Sequence, residues 1–176
     1  AGEVAYFDVA QTSALFITLP QVIGNLIIAP LVVQAHAEGD TLRLASIFKS
    51  STRLSTGIAL ASTAMLITFG HTLLSFAYGP GYADSATLPL ILLALAQLLN
   101  VAAGPVGLYL AMTGLEKTVF KAQGFALIVG AAITAALVDT LGAVGAAIGT
   151  SVTLILWNVL LGWWLLKHLK LRPGLF

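Results

Sequence analysis

Long stretches of this chain contain no Asp, Glu, Lys or Arg: residues 9–37, 54–83, 85–115, 122–138 and 140–166. No other feature constrains the fold as strongly. About 20 apolar residues in a helix cover the hydrocarbon core of a bilayer. Five such runs can be drawn, over 11–35, 54–78, 86–113, 118–138 and 141–166. Hydrocarbon offers an unpaired backbone group nothing to bond, and these runs are too long for barrel strands, so all five are predicted to be helices. The expected fold class is an all-α integral membrane bundle of about five transmembrane helices. Composition agrees, with 59% of the 176 residues hydrophobic and 9% charged. Globular domains run near half apolar and a quarter charged.

Basic residues set the expected orientation. Arg43, Lys49 and Arg53 lie between the first two spans, Lys117 and Lys121 between the third and fourth, and Lys167, Lys170 and Arg172 after the fifth. That places all Lys and Arg on one side, with Glu3, Asp8, Asp84 and Asp139 opposite. The positive-inside rule makes the basic side cytoplasmic, with the N-terminus outside and the C-terminus inside. Tyr78 and Tyr82 at the outer ends, and Trp163 and Trp164 near the inner end, suit headgroup depths. Asp40 or Thr41 can cap a helix over the inner connection. Residues 40–53 then read either as a short helix lying in the inner interface or as a cytoplasmic extension of the second span. The turns "YGPGYADS" and "VDTLG" are tight and leave no extramembrane domain. The opening "AGEVAYFDVA" has neither an initiator Met nor a signal-peptide layout, so the chain is expected to be a piece of something longer.

Several functions are disfavoured at once. A net charge of +1 gives no electrostatic support for a nucleic-acid partner. With no cysteine there is no disulfide, thiolate metal site or cysteine nucleophile. No H-E-x-x-H, G-x-S-x-G or phosphate-cradling glycine loop occurs, and no ionised residue lies near the centre of a span. Neither an enzyme, a cofactor nor a metal is expected.

The informative residues are amides and helix breakers at membrane depth. Gln21 and Asn25, four apart, share one face of the first span, and Gln97 and Asn100, three apart, share one face of the third. Amides in hydrocarbon need partners. Either they line a wet cavity, or they serve as interhelical glue contributing on the order of 0.6–2 kcal/mol each. Prolines at 20, 30, 89 and 105 add breaks. Pro20, Gly104, Pro105 and Gly107 form a candidate hinge, with a static kink as the alternative. Gly145 and Gly149 make a G-x-x-x-G pair that Gly142 and Ala146 extend, and Gly130, Ala131 and Ala135 face them from the fourth span. The last two spans are therefore expected to pack as a tight hairpin. His36 and His168 belong to solvated inner segments, and Asp8 faces water. His71 either titrates during a cycle or holds a structural hydrogen bond.

Four segments carry a resemblance: "NLIIAPLVVQAHAEGDTLRL", "LLSFAYGPGYADSATLPLILLALAQLLN", "TGLEK" and "LGAVGAAIGTSVTLILWNVLLGWWLLKHLK". Together they make the chain resemble polysaccharide biosynthesis/export proteins, the O-antigen-type flippases of the multidrug/oligosaccharidyl-lipid/polysaccharide (MOP) superfamily. The resemblance implies most of the C-terminal lobe of a larger, two-lobed, MATE-like transporter in the bacterial inner membrane. Such a protein moves a lipid-linked oligosaccharide on an undecaprenyl-type carrier by alternating access, for lipopolysaccharide O-antigen or related surface polymers. Implied partners are that substrate, membrane lipids and the missing N-terminal lobe. Gln21, Asn25, Gln97 and Asn100 would then line the cavity. One departure stands: carriers of pyrophosphate-linked sugars are expected to place cations in the cavity, and this chain has none at depth. Those cations belong to the other lobe, or the substrate differs. A cation-coupled multidrug exporter of the same superfamily is the alternative within the family, and a non-transporting membrane scaffold is the alternative outside it.

Overall fold

The computed structural model describes residues 2–171, 173 and 174. Among them every regular element is helical. The elements are α1 (Gly2–Leu15), a 3₁₀ turn (Phe16–Thr18), α2 (Leu19–Ala37), α3 (Thr41–Tyr78), α4 (Pro80–Ala103), α5 (Val106–Met112) and α6 (Glu116–Leu169). Four helical stretches are long and apolar enough to cross a membrane: Gly2–Ala37, Thr41–Tyr78, Pro80–Ala103 and Glu116–Leu169.

The last of these spans 54 residues. At 1.5 Å per residue it would measure roughly 80 Å if straight, against about 30 Å of hydrocarbon. It is not straight. Gly142 has φ 54° and ψ −129°, and the chain reverses there. A Cβ at Gly149 would lie 2.7 Å from the Gly130 carbonyl oxygen, and one at Gly145 would lie 2.7 Å from that of Leu137. The two halves thus run antiparallel with backbones in contact, which only small residues allow. Gly142, grouped with Gly145 and Gly149 on sequence, does not join that seam but forms the reversal itself. The four helical stretches therefore supply five lengths compatible with a multi-pass membrane protein.

Prolines shape the rest. Pro20 has no N–H for the Phe16 carbonyl, and Leu19 donates to that oxygen instead, which tightens one turn to 3₁₀ without ending the helix. Pro105 leaves the Val101 carbonyl without its usual partner, and Gly104 donates there at 3.0 Å. At Gly104, however, φ is +86°, so the chain leaves the helix and restarts at Val106. The expected single span over 86–113 is thus two helices, because glycine admits the backbone turn that proline alone does not force. Of the two readings of residues 40–53, the structure has the extension of the second span rather than a separate helix. Asp40 accepts from the Arg43 N–H at 2.9 Å and starts a helix that continues unbroken to Tyr78. At about 57 Å, α3 outruns the hydrocarbon, and its first turns carry Arg43, Lys49 and Arg53.

Helix α4 is central, packed on α1, α3 and α6. Gly70 faces Leu90, and Gly104 faces Thr52 and Phe48, so α3 and α4 run antiparallel. The apolar interior forms a cluster at each end, with a smaller one of Ile17, Ala59, Ala94 and Val101 as well. Val9, Ala10, Leu74, Ala83, Leu90 and Ala147 join at one, and Val32, Leu44, Phe48, Tyr109, Leu161 and Leu165 at the other. Every described Lys and Arg belongs to segments of the second end, while Glu3, Asp8, Asp84 and Asp139 belong to the first. Arg172 lies outside the described residues.

Candidate functional site

The helix break organises the polar residues. Helix α5 is pinned to α3 by Tyr109, which is fully buried, stands edge-on to Phe48 with ring centroids 5.0 Å apart, and donates to the Leu44 carbonyl at 3.2 Å. Gly104 has no room for a side chain: a Cβ there would lie 2.8 Å from Phe48 Cζ and closer still to Thr52 Oγ1. The break is thus wedged against α3 on one side and opens on the other.

On the open side lies a cavity of about 170 Å³. Gln21 and Asn25 from α2, Asn100 from α4, the segment 104–108, and Gln123, Trp157 and Asn158 from α6 line it. Three helices, α6 through both of its halves, therefore bring five amides to one place, together with an indole ring. None of the lining residues is ionisable. Among the described residues, no group of three His, Cys, Asp or Glu side chains comes together as a metal would require.

The amides form a directed chain. Asn158 donates through Nδ2 to Asn100 Oδ1 at 2.8 Å and to the Leu154 carbonyl at 2.8 Å. Asn100 donates in turn to Gln97 Oε1 at 3.2 Å. Gln97 is buried and stands behind the cavity wall rather than in it. Asn25 lines the cavity, and its Oδ1 is buried with no hydrogen-bond partner among the described residues. A buried polar atom without a partner costs about 1–3 kcal/mol.

Of the residues expected at a site, Gln21, Asn25, Asn100, Gly104, Pro105 and Gly107 meet around this cavity, and Gln97 joins through Asn100. Pro20 does not; it borders a separate space between α2 and α3 with Gly24, Ser50 and Ser55. Sequence reasoning missed Gln123, Trp157 and Asn158. Asn158 is a lone amide in "LILWNVLLG", with no amide one turn away to mark a face. The signal was present, since an amide inside an apolar run needs a partner wherever it occurs.

A second, apolar groove of about 420 Å³ lies on the other side of the same contact. Leu99, Ile155, Val159, Trp163 and Leu166 form it, and Asn100 and Asn158 belong to its wall as they do to the amide cavity. The C-terminal tail closes one end: Pro173 lies against Gly162, and the Gly174 N–H donates to the Ala103 carbonyl at 3.0 Å. Lys167 sits at the rim, its Nζ 5.0 Å from the Trp163 ring centroid. The histidines are elsewhere. His36 and His168 are exposed, and His71 Nε2 lies 3.1 Å from Asp84 Oδ1 on the surface.

No protein-family model matches the chain, and no curated protein or solved structure matches it.

Proposed function

We propose that this chain is the C-terminal lobe of a bacterial inner-membrane flippase of the MOP superfamily, which moves a lipid-linked oligosaccharide outward by alternating access. The observation that carries the reading is the amide-lined, charge-free cavity at the Gly104–Pro105 break. An amide offers both donors and acceptors, so it can replace water around a sugar hydroxyl without fixing a charge in hydrocarbon. A broken helix beside such a cavity is the arrangement that transporters use at their midplane sites. The end bearing the lysines and arginines is the cytoplasmic one by the positive-inside rule, which places the N-terminus outside and the C-terminus inside. At about 170 Å³ the cavity is smaller than the roughly 300 Å³ at which drug-sized sites begin. It is one wall of a site whose remainder belongs to the N-terminal lobe, as does any cation that meets a pyrophosphate. The cycle needs no enzymatic step in this lobe.

Complementation tests the reading. The full-length parent is expressed in a bacterium lacking its own flippase, and surface polysaccharide is scored. Restored polymer that disappears with Gln97→Leu/Asn100→Leu, at unchanged membrane levels, is the expected result. Acquired resistance to cationic drugs without restored polymer would move the chain to the multidrug branch. Full export by a stably folded double variant would remove the reading's basis, and loss of folding would instead mark the amides as interhelical glue.

A further inference from the structure

Three helix ends meet at the basic end of the bundle. His36 stands in the last turn of α2, Thr41 opens α3, and His168 stands in the last turn of α6. Together with Gly39 and Lys170 they line a cavity of about 350 Å³, which shares no residue with the amide cavity. Its chemistry differs sharply from that cavity's. Two imidazoles and an ammonium line it, and no carboxylate does.

The walls are held in place by their own contacts. On the α2–α3 side, Glu38 pairs with Arg43 at 3.1 Å and accepts from Gln34 at 2.8 Å. Asp40 accepts from the Arg43 N–H, and its own N–H donates to the Ala35 carbonyl at 2.9 Å. Both carboxylates of this turn are thus committed to the turn itself. On the α6 side, His168 stacks on Trp164 with ring centroids 5.0 Å apart and planes 15° apart. Leu171 is buried with Leu44 and Leu165, which anchors the chain just past the helix. Between them, Lys170 has φ 54° and is the one non-glycine residue in the left-handed region among the described residues. Glycine usually takes that place after a helix, because a side chain is disfavoured there. Here it carries a cation that lines the cavity.

Depth, size and charge select the ligand. Trp163 and Trp164 suit headgroup depth, and His168 follows Trp164 by one turn. The cavity has the volume of roughly twelve water molecules at about 30 Å³ each, room for a phosphoglycerol head but not for its acyl chains. An imidazole donates an N–H in either protonation state, and an ammonium donates three. The first turn of α3 adds the positive end of a helix dipole. Basic pockets between helices at an inner membrane surface bind anionic lipid heads in this way. We propose that the cavity binds the phosphate of an anionic phospholipid headgroup, held by His36 from one side and by His168 and Lys170 from the other. The acyl chains remain in the bilayer. The bound head ties the end of α2 to the end of α6, joining the first and last of the long helical stretches at the basic end. This site goes beyond the flippase reading and does not rest on it.

The test is native mass spectrometry of the delipidated full-length parent, titrated with phosphatidylglycerol or with phosphatidylcholine of the same acyl chains. The first phosphatidylglycerol is expected to bind at about tenfold lower concentration. His36→Gln/Lys170→Gln should abolish that preference and leave phosphatidylcholine binding unchanged, which also reports an intact fold. Lys49→Gln removes a cation from the same end but outside the cavity, and should keep the preference. All three positions are exposed, so the substitutions disturb no core packing. Loss of preference in Lys49→Gln as well would show attraction to the basic end as a whole and overturn the site. Equal binding of the two lipids by the wild type would overturn it, and so would a preference that survives the double substitution. Glycerol 3-phosphate separates the two sources of the same chemistry. Displacement of the lipid only at about hundredfold excess supports the membrane lipid as ligand. Displacement at matching concentration would overturn the lipid and put a soluble phosphate ester in its place.

Discussion

The carboxylate of Glu3, at the start of α1, accepts a hydrogen bond from the backbone N–H of Ala143 at 2.8 Å. The contact joins residues 140 apart and caps the helix that begins after the reversal at Gly142. The first N–H groups of a helix have no partner within it, and an anion there also meets the positive end of the helix dipole. One side chain thus ties the first helix to the last hairpin. Glu3→Ala is expected to destabilise the full-length protein by about 1 kcal/mol, read as a lower midpoint in thermal unfolding in detergent. An unchanged midpoint would mean that water caps Ala143 equally well.

The glycine seam of the hairpin should tolerate no side chain. Gly149→Ala places a Cβ 2.7 Å from a backbone oxygen of Gly130. Backbone cannot step aside as a flexible side chain can, so a loss of about 1–3 kcal/mol is expected. Gly57→Ala is the contrasting case. That glycine lies within α3 with nothing within 4 Å of the added carbon, and alanine there should be neutral or stabilising by up to ~1 kcal/mol. Thermal unfolding of the two variants side by side checks both.

Gly104 and Gly107 flank Pro105 and look alike in the sequence, but their surroundings separate them. At Gly104 the backbone has φ +86° and the new carbon would strike Thr52 and Phe48. Gly104→Ala is therefore expected to cost about 2–3 kcal/mol. At Gly107 the nearest neighbour is Leu161 Cδ1 at 3.5 Å, an ordinary contact, and Gly107→Ala should express and melt like the wild type. Equal tolerance at both positions would contradict the wedged break.

Thr63 supplies a test in the opposite direction. Ser13, Thr87, Ser151 and Thr153 each donate to a carbonyl four residues back, as helical hydroxyls usually do. The hydroxyls of Thr52, Thr56 and Thr63, buried along one stripe of α3, have no partner among the described residues. Thr63→Val removes an unbonded buried hydroxyl and keeps the shape, so stability should rise by about 1 kcal/mol. A lower melting midpoint would show that this hydroxyl has a partner such as bound water.

Helical class, the number of apolar lengths and the grouping of charge at the two ends were all legible in the residues before any packing. Those features follow from local chemistry: hydrocarbon-compatible runs must satisfy their own backbone, and each charge either lies in a run or outside it. The sequence also marked Gln21, Asn25, Gln97 and Asn100, because paired amides one turn apart define a face wherever the helix finally packs. What those faces meet was set by packing. Sequence periodicity could not show that Asn158, isolated in its run, reaches Asn100, or that Trp157 and Gln123 close the same cavity, since the distance across a bundle is set by how helices cross. Gly142 illustrates the limit most plainly. As one small residue among several it belonged equally to a packing seam or a turn, and it became the turn because Gly145 and Gly149 already fill the seam, while Glu3 arrives from 140 residues away to cap the helix that follows.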